Sequence, residues 1–141
     1  MVNKVIAAVS TAIYNEFGDG YRIYADNVEQ GLKRPCFFIN VVRPSRSERL
    51  MGRSYRSVPL VIQYFPASQG KRTECHAVSE RLFSCLSYPK NGDDVFRGTD
   101  MKYDINDDKL NFHIQYNFYT LTVNYDDKIL MSDVSESIES N

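Results

Sequence analysis

The sequence predicts an α+β fold. A mostly antiparallel, mixed sheet of about five strands carries two helices packed on one face, and a long arginine-rich hairpin arm or loop projects from it. Three observations predict this. Leu110 to Tyr125 alternates apolar Leu110, Phe112, Ile114, Tyr116 and Phe118 with polar Asn111, His113, Gln115 and Asn117, the two-residue period of a strand with one buried face. Two other stretches, Val2–Phe17 and Lys71–Ser87, space their apolar residues by threes and fours, as helices with one buried stripe do. The chain also holds 10 Tyr and 8 Phe with no Trp, a composition suited to pleated surfaces.

In chain order, the first helix buries Val2, Val5, Ile6, Val9, Ile13 and Phe17 and stops at Gly18-Asp19-Gly20. Tyr21 to Ala25 alternates as a short strand, and Asp26 to Pro35 connects it onward, with Gly31 and Pro35 as breakers. Cys36 to Val42 is apolar on both faces and belongs inside the sheet. Ser57 to Phe65 returns as its partner, with Pro59 removing one ladder donor and predicting a bulge or unpaired edge. After a turn at Pro66–Gly70, the second helix presents Cys75, Val78, Leu82, Cys85 and Leu86, with Thr73 as a cap. Pro89 to Asp94 is a turn cluster, and Val95–Ile105 pairs with the long strand across Asn106–Lys109. The phase break at Tyr119, where Leu121, Val123 and Tyr125 become the apolar positions, predicts a bulge or bend there.

Two segments stand apart by charge. Arg43 to Arg56 contains five arginines and one acid, Glu48, a local charge of +4. The spacing suits either one face of a short helix or an extended arm, and arginine's fork suits a carboxylate or phosphate partner. The segment 126–141 holds five acids against Lys128, a side-chain charge of -4, and its composition predicts a flexible tail after a single domain over residues 1–125. The two charges are opposite and similar, so one subunit's tail can meet another's arm, an attraction that salt screens.

The 141 residues, 43% apolar and 25% charged with net charge -1, suit one core without staples and disfavour a general nucleic-acid binder. Cys36, Cys75 and Cys85 form no CxxC pair and follow no secretory leader, so they read as core thiols of a reducing cytoplasm. No apolar run approaches a membrane span. Metal ligation is not predicted from His76 and His113. Asp104, Asn106 and Asp108 open like a calcium loop, but Lys109 and Gln115 stand where glycine and glutamate are needed. No phosphate loop, dinucleotide fingerprint or nucleophile elbow occurs. Asp93 and Asp94 read as turn residues, and Asp100 with Lys102 are the nearest candidates for a metal-dependent nuclease.

The opening NKVIAAVSTAIYNEFGDGYRIYADNVEQGLKRPCFFI, the YFP at Tyr64–Pro66, the helix ECHAVSERLF and VFRGTDMKYDI before the long aromatic strand resemble the tail terminator family of tailed phages and prophages of low-GC Gram-positive bacteria. The resemblance covers about Met1 to Tyr125. It implies a non-enzymatic virion protein of the head-tail interface, assembled in the host cytoplasm, with no catalytic residue, cofactor, metal or membrane. Such a subunit forms a homo-hexameric ring on the tail tube protein, stops tube growth and offers a surface to the head completion or connector protein. DNA passes through the lumen without specific binding. The candidate contacts between subunits or with the tube are Arg43, Arg46, Arg49, Arg53, Arg56, Asp126 and Asp127. A different neck component, such as a head completion protein, and a small nuclease are the alternatives.

Overall fold

The computed structural model describes residues 1–25, 33–67 and 72–121. Helices α1 (Val2–Phe17) and α2 (Arg72–Cys85) lie on one face of a mixed sheet. Its strands are β1 (Arg22–Tyr24), β2 (Cys36–Val41), β3 (Ser45–Glu48), β4 (Arg53–Phe65), β7 (Gly98–Asn106) and β8 (Lys109–Leu121). The order is β1-β2-β4-β8-β7, with β3 added to the free part of β4. A separate small hairpin joins β5 (Lys90–Asn91) to β6 (Asp94–Val95). The β1–β2 pair is parallel and every other pair antiparallel. One strand beyond the five expected is present, because half of the arginine segment is itself a strand.

Of the expected stripe of α1, Val5, Val9, Ile13 and Phe17 are buried together with Ala8, as the three-and-four spacing requires, while Val2 and Ile6 are only partly covered. Gly18 ends the helix at φ 86, a conformation costly for a side-chain-bearing residue, and its N–H donates to the Tyr14 carbonyl at 2.8 Å. In α2 the buried set is Cys75, Val78, Ser79 and Leu82, with Leu86 just beyond the end and Cys85 half-buried. Thr73 is the second helical residue, inside the first turn rather than before it. Arg81 ties the helices together: it donates to the Glu16 carboxylate at 2.9 Å and to the Glu16 carbonyl at 2.7 Å, with its guanidinium 4.1 Å from the Phe17 ring centre. A cation there also complements the negative end of α1.

Beneath the helices lie Phe37, Ile39, Val58, Leu60, Ile62, Tyr64, Leu110, Phe112, Ile114 and Tyr116, all 1% exposed or less. Both buried tyrosines place their hydroxyls: Tyr116 donates to the Leu86 carbonyl at 2.8 Å, and Tyr64 donates to the Glu74 carboxylate. Burial, reinforced for Tyr64 by Glu74, holds both phenols well above their ordinary range. The sheet thereby acquires fixed points on α2 as well as an apolar interface.

The β4–β8 register runs without a shift from Tyr64↔Leu110 to Arg53↔Leu121. The bulge expected near Tyr119 is therefore absent. The apparent phase break arises because the strand outruns the core: Phe118 keeps the inner face, while Tyr119 and Leu121 are apolar residues on the outer one, 54% and 52% exposed. The irregularity sits in β7 instead. Thr99 pairs Gln115 and Lys102 pairs His113, so Asp100 and Met101 oppose Ile114 alone, with Asp100 at φ 52.

Pro59 falls where β4 changes partners on one side, between Val41↔Leu60 of β2 and Ser45↔Ser57 of β3. Its carbonyl accepts from the Val42 N–H at 2.9 Å. A strand residue's N and C=O point the same way, so the missing donor faces this gap and the ladder to β8 is intact; the unpaired edge is found, without a bulge. The β7–β8 hairpin closes on Asp107 and Asp108 at φ 54 and 60 between Asn106↔Lys109, the two-residue turn that matches strand twist. Val95, expected to start that strand, lies in β6. Residues 26–32, 68–71 and 122–141, which include the rest of the first loop, most of the Pro66–Gly70 turn, and Asp126 and Asp127, lie outside the described residues.

Candidate functional site

The arginine segment is an arm built as an extension of the sheet. β3 pairs the first part of β4 through Ser45↔Ser57, Arg46↔Arg56, Ser47↔Tyr55 and Glu48↔Ser54. The other edge of the same part of β4 pairs the end of β8 through Arg56↔Phe118, Tyr55↔Tyr119, Ser54↔Thr120 and Arg53↔Leu121. The result is a three-stranded ribbon. A turn at Leu50–Gly52, with Met51 at φ 62 and Gly52 at φ 72, forms its tip, and the Arg49 N–H closes it by donating to the Arg53 carbonyl at 2.7 Å. The short-helix alternative is not realised: an extended path satisfies the backbone on both edges of β4.

A two-residue period divides the arginines that the helical spacing would have aligned. Arg46 and Arg56 share the helix side of the ribbon, directly opposite each other. Like charges so placed are unfavourable. Glu48 offsets one of them, bonding Arg46 at 2.8 Å and accepting from the Ser54 hydroxyl at 3.0 Å. Arg56 Nε is buried without a hydrogen-bond partner. Arg49 and Arg53 stack on the other side, 5.3 Å from the Tyr55 ring centre and 4.5 Å from that of Tyr119, and these two rings pack at 5.0 Å. Arg43, at φ 51, lies in the link before β3.

The most exposed apolar side chains among the described residues are at the tip, Leu50 at 87% and Met51 at 91%. With Arg49, Arg53 and Tyr119 they line a cavity of about 480 Å³, a surface both apolar and cationic. Sequence reasoning identified the arginines but not this pair, although Leu50-Met51-Gly52 is the one apolar interruption between Arg49 and Arg53.

The outer sheet face is polar and internally bonded. Asn40 donates to Gln63 at 3.4 Å, Gln63 to Asn111 at 3.1 Å, and Asn111 to Asp104 at 3.0 Å, with His113 Nε2 3.5 Å from the same carboxylate. This row crosses β2, β4, β8 and β7. Asp104, part of the calcium-like pattern, is thus engaged in the row, and Asp108 lies in the hairpin turn. Above the row, Asp100 and Lys102 line a second cavity of about 480 Å³ with Val42, Pro59, Val61, His113 and Gln115. Among the described residues no group of three or more His, Cys, Asp or Glu is placed to hold a metal. His76 points away from buried Cys75 and meets the Tyr103 hydroxyl at 2.8 Å. Asp94 pairs with Lys4 at 3.5 Å. Burial pushes the thiols of Cys36, Cys75 and Cys85 up, Cys85 to about 12, the opposite of an activated nucleophile. No helix among the described residues is long and apolar enough to cross a membrane.

Comparison with curated proteins finds no match. Among protein families, the one described as "Phage tail terminator protein" matches residues 4–128, from the first turn of α1 through the whole sheet and seven residues past Leu121. That family is structural rather than enzymatic and supplies a component of the virion tail. The chain belongs to the phage tail terminator protein family.

Proposed function

We propose that the chain forms a ring of six copies that caps the tail tube, stops its elongation and presents its other surface to the head connector, with DNA passing through the lumen. The arm carries this reading. The ribbon outruns the core and carries arginines on both faces, and Leu50 and Met51 at its tip are exposed, so these two side chains bury nothing in their own subunit. It fits a heterologous contact, in which one patch meets a different patch on the neighbour and repetition closes a ring. Arg43, Arg46, Arg49, Arg53 and Arg56 supply charge that sets register with an acidic neighbour or the tube, and Asp126 and Asp127 supply the opposite sign. The bonded outer sheet face and the two-helix layer give the arm a rigid mount. Residues 1–125 act as one domain and the acidic segment 126–141 as an appendage.

The test is solution mass by light scattering over a concentration series at low and moderate salt. A hexamer, or a monomer converting to one as concentration rises, is expected. A stable dimer at all concentrations contradicts the ring.

A further inference from the structure

Strand β8 ends at Leu121, directly beside Arg53 at the arm. The chain that follows begins its journey at the rim of the cavity formed by Arg49, Leu50, Met51, Arg53 and Tyr119. Its first charged residues are Asp126 and Asp127, and the next apolar run is Ile129-Leu130-Met131. The cavity offers two arginines and two exposed apolar side chains; the segment offers two carboxylates and, past Lys128, three apolar side chains. From Leu121, the eight-residue step to Ile129 spans at most roughly 26 Å, ample for a site whose edge is the adjacent strand.

We infer that the arm-tip cavity of each subunit is covered by that subunit's own segment 126–131, with Asp126 and Asp127 on Arg49 and Arg53 and Ile129–Met131 on Leu50 and Met51. This builds on the reading of the arm as an assembly surface and adds a control to it. The occupant comes from the same chain because the tether holds it at an effective concentration on the order of millimolar, which a second copy reaches only in an assembled ring. Covered, the tip is withheld from free subunits in solution. A tube end or neighbour that fits the tip better displaces the segment, so the sticky surface opens where it is used.

Disulfide trapping in the full chain tests this. One variant carries Met51→Cys with Leu130→Cys, the other Met51→Cys with Ile138→Cys; native Cys36 and Cys75 are buried and Cys85 half-buried, and Met51→Cys alone is the control. Counting 9 and 17 residues from Leu121, chain statistics alone favour the nearer pair about 2.6-fold. Docking predicts a rate ratio of about 10 or more for the bond within one chain. It further predicts a return to about 2.6 on adding Arg49→Glu with Arg53→Glu, or Asp126→Lys with Asp127→Lys. A ratio near 2.6 without those changes overturns the inference, as does a bond formed mainly between chains. Light scattering on the same samples separates the two proposals: rings with a ratio near 2.6 sink only the covering, and dimers with a high ratio sink only the ring.

Discussion

Gly98→Ala places one methyl group where the sheet meets the end of α2. Gly98 opens β7, and a Cβ there would stand 2.6 Å from the Leu86 carbonyl oxygen, 2.6 Å from Ile114 Cδ1 and 3.0 Å from Met101 Cε, where ordinary contact begins at 3.4 Å. The Met101 methyl can swing aside. The Leu86 carbonyl cannot, since it accepts the Tyr116 hydroxyl at 2.8 Å while the Gly98 N–H donates to the Ser87 carbonyl at 2.8 Å. Overpacking of this kind costs about 2 kcal/mol, and weakening the buried Tyr116 bond adds about 1 kcal/mol. The reduced freedom of an unfolded alanine returns about 0.7 kcal/mol. Sterics win, for a net loss of about 2.3 kcal/mol, which at about 3 °C per kcal/mol lowers Tm by about 7 °C. Thermal unfolding followed by far-ultraviolet circular dichroism measures it. An unchanged or raised Tm would refute the packing described between β7, β8 and the α2 terminus.

Other outcomes follow from the same geometry. Leu50→Asp with Met51→Asp removes side chains 87% and 91% exposed, so, the docked segment 126–131 aside, unfolding free energy changes by less than about 0.5 kcal/mol. Assembly, if it buries both, weakens roughly 100-fold in sedimentation velocity. Asp107→Asn with Asp108→Gly installs the residue pair that best tolerates the turn's positive φ values and raises stability by about 1 kcal/mol, or about 3 °C; a loss would contradict the turn. Cys36, Cys75 and Cys85 all have thiol pKa values raised by burial. The folded protein thus holds these protons more tightly than the unfolded chain does, and the stability they contribute is complete below the ordinary thiol value and lost as pH rises above it. Urea unfolding free energy should therefore fall from about pH 9 toward the Cys85 value of about 12, and Cys85→Ala should make that fall shallower; identical slopes would show that Cys85 is not the source.

The helices and long strands were legible because a single amphipathic period fixes both type and orientation: Val5, Val9 and Ile13 sit where their spacing puts them, and so do Leu110 through Tyr116. The arm's conformation was not. Arginines at 43, 46, 49, 53 and 56 satisfy a helical face as well as a hairpin, and only pairing with β8 on the far edge of β4 decides between them. Tyr119 misled because a surface aromatic stacked under Arg53 has the same pattern as a core residue shifted by one. The bulge at Asp100 left no mark, since Asp100, Met101, Lys102 and Tyr103 alternate as an unbroken strand would. Leu50 and Met51 give no signal in the sequence, because two apolar residues in a charged loop carry no period. The family was legible as a whole-chain pattern, whereas contact residues depend on which surfaces face outward.

The most direct measurement is the length of tail tubes polymerised from the matching tube protein with increasing amounts of this chain, scored by electron microscopy. Tubes should become shorter and carry an added ring at one end, and the Leu50→Asp, Met51→Asp variant should leave them long. A length distribution unchanged by excess chain would contradict the terminator mechanism proposed here, and equal shortening by the variant would remove the arm tip from it.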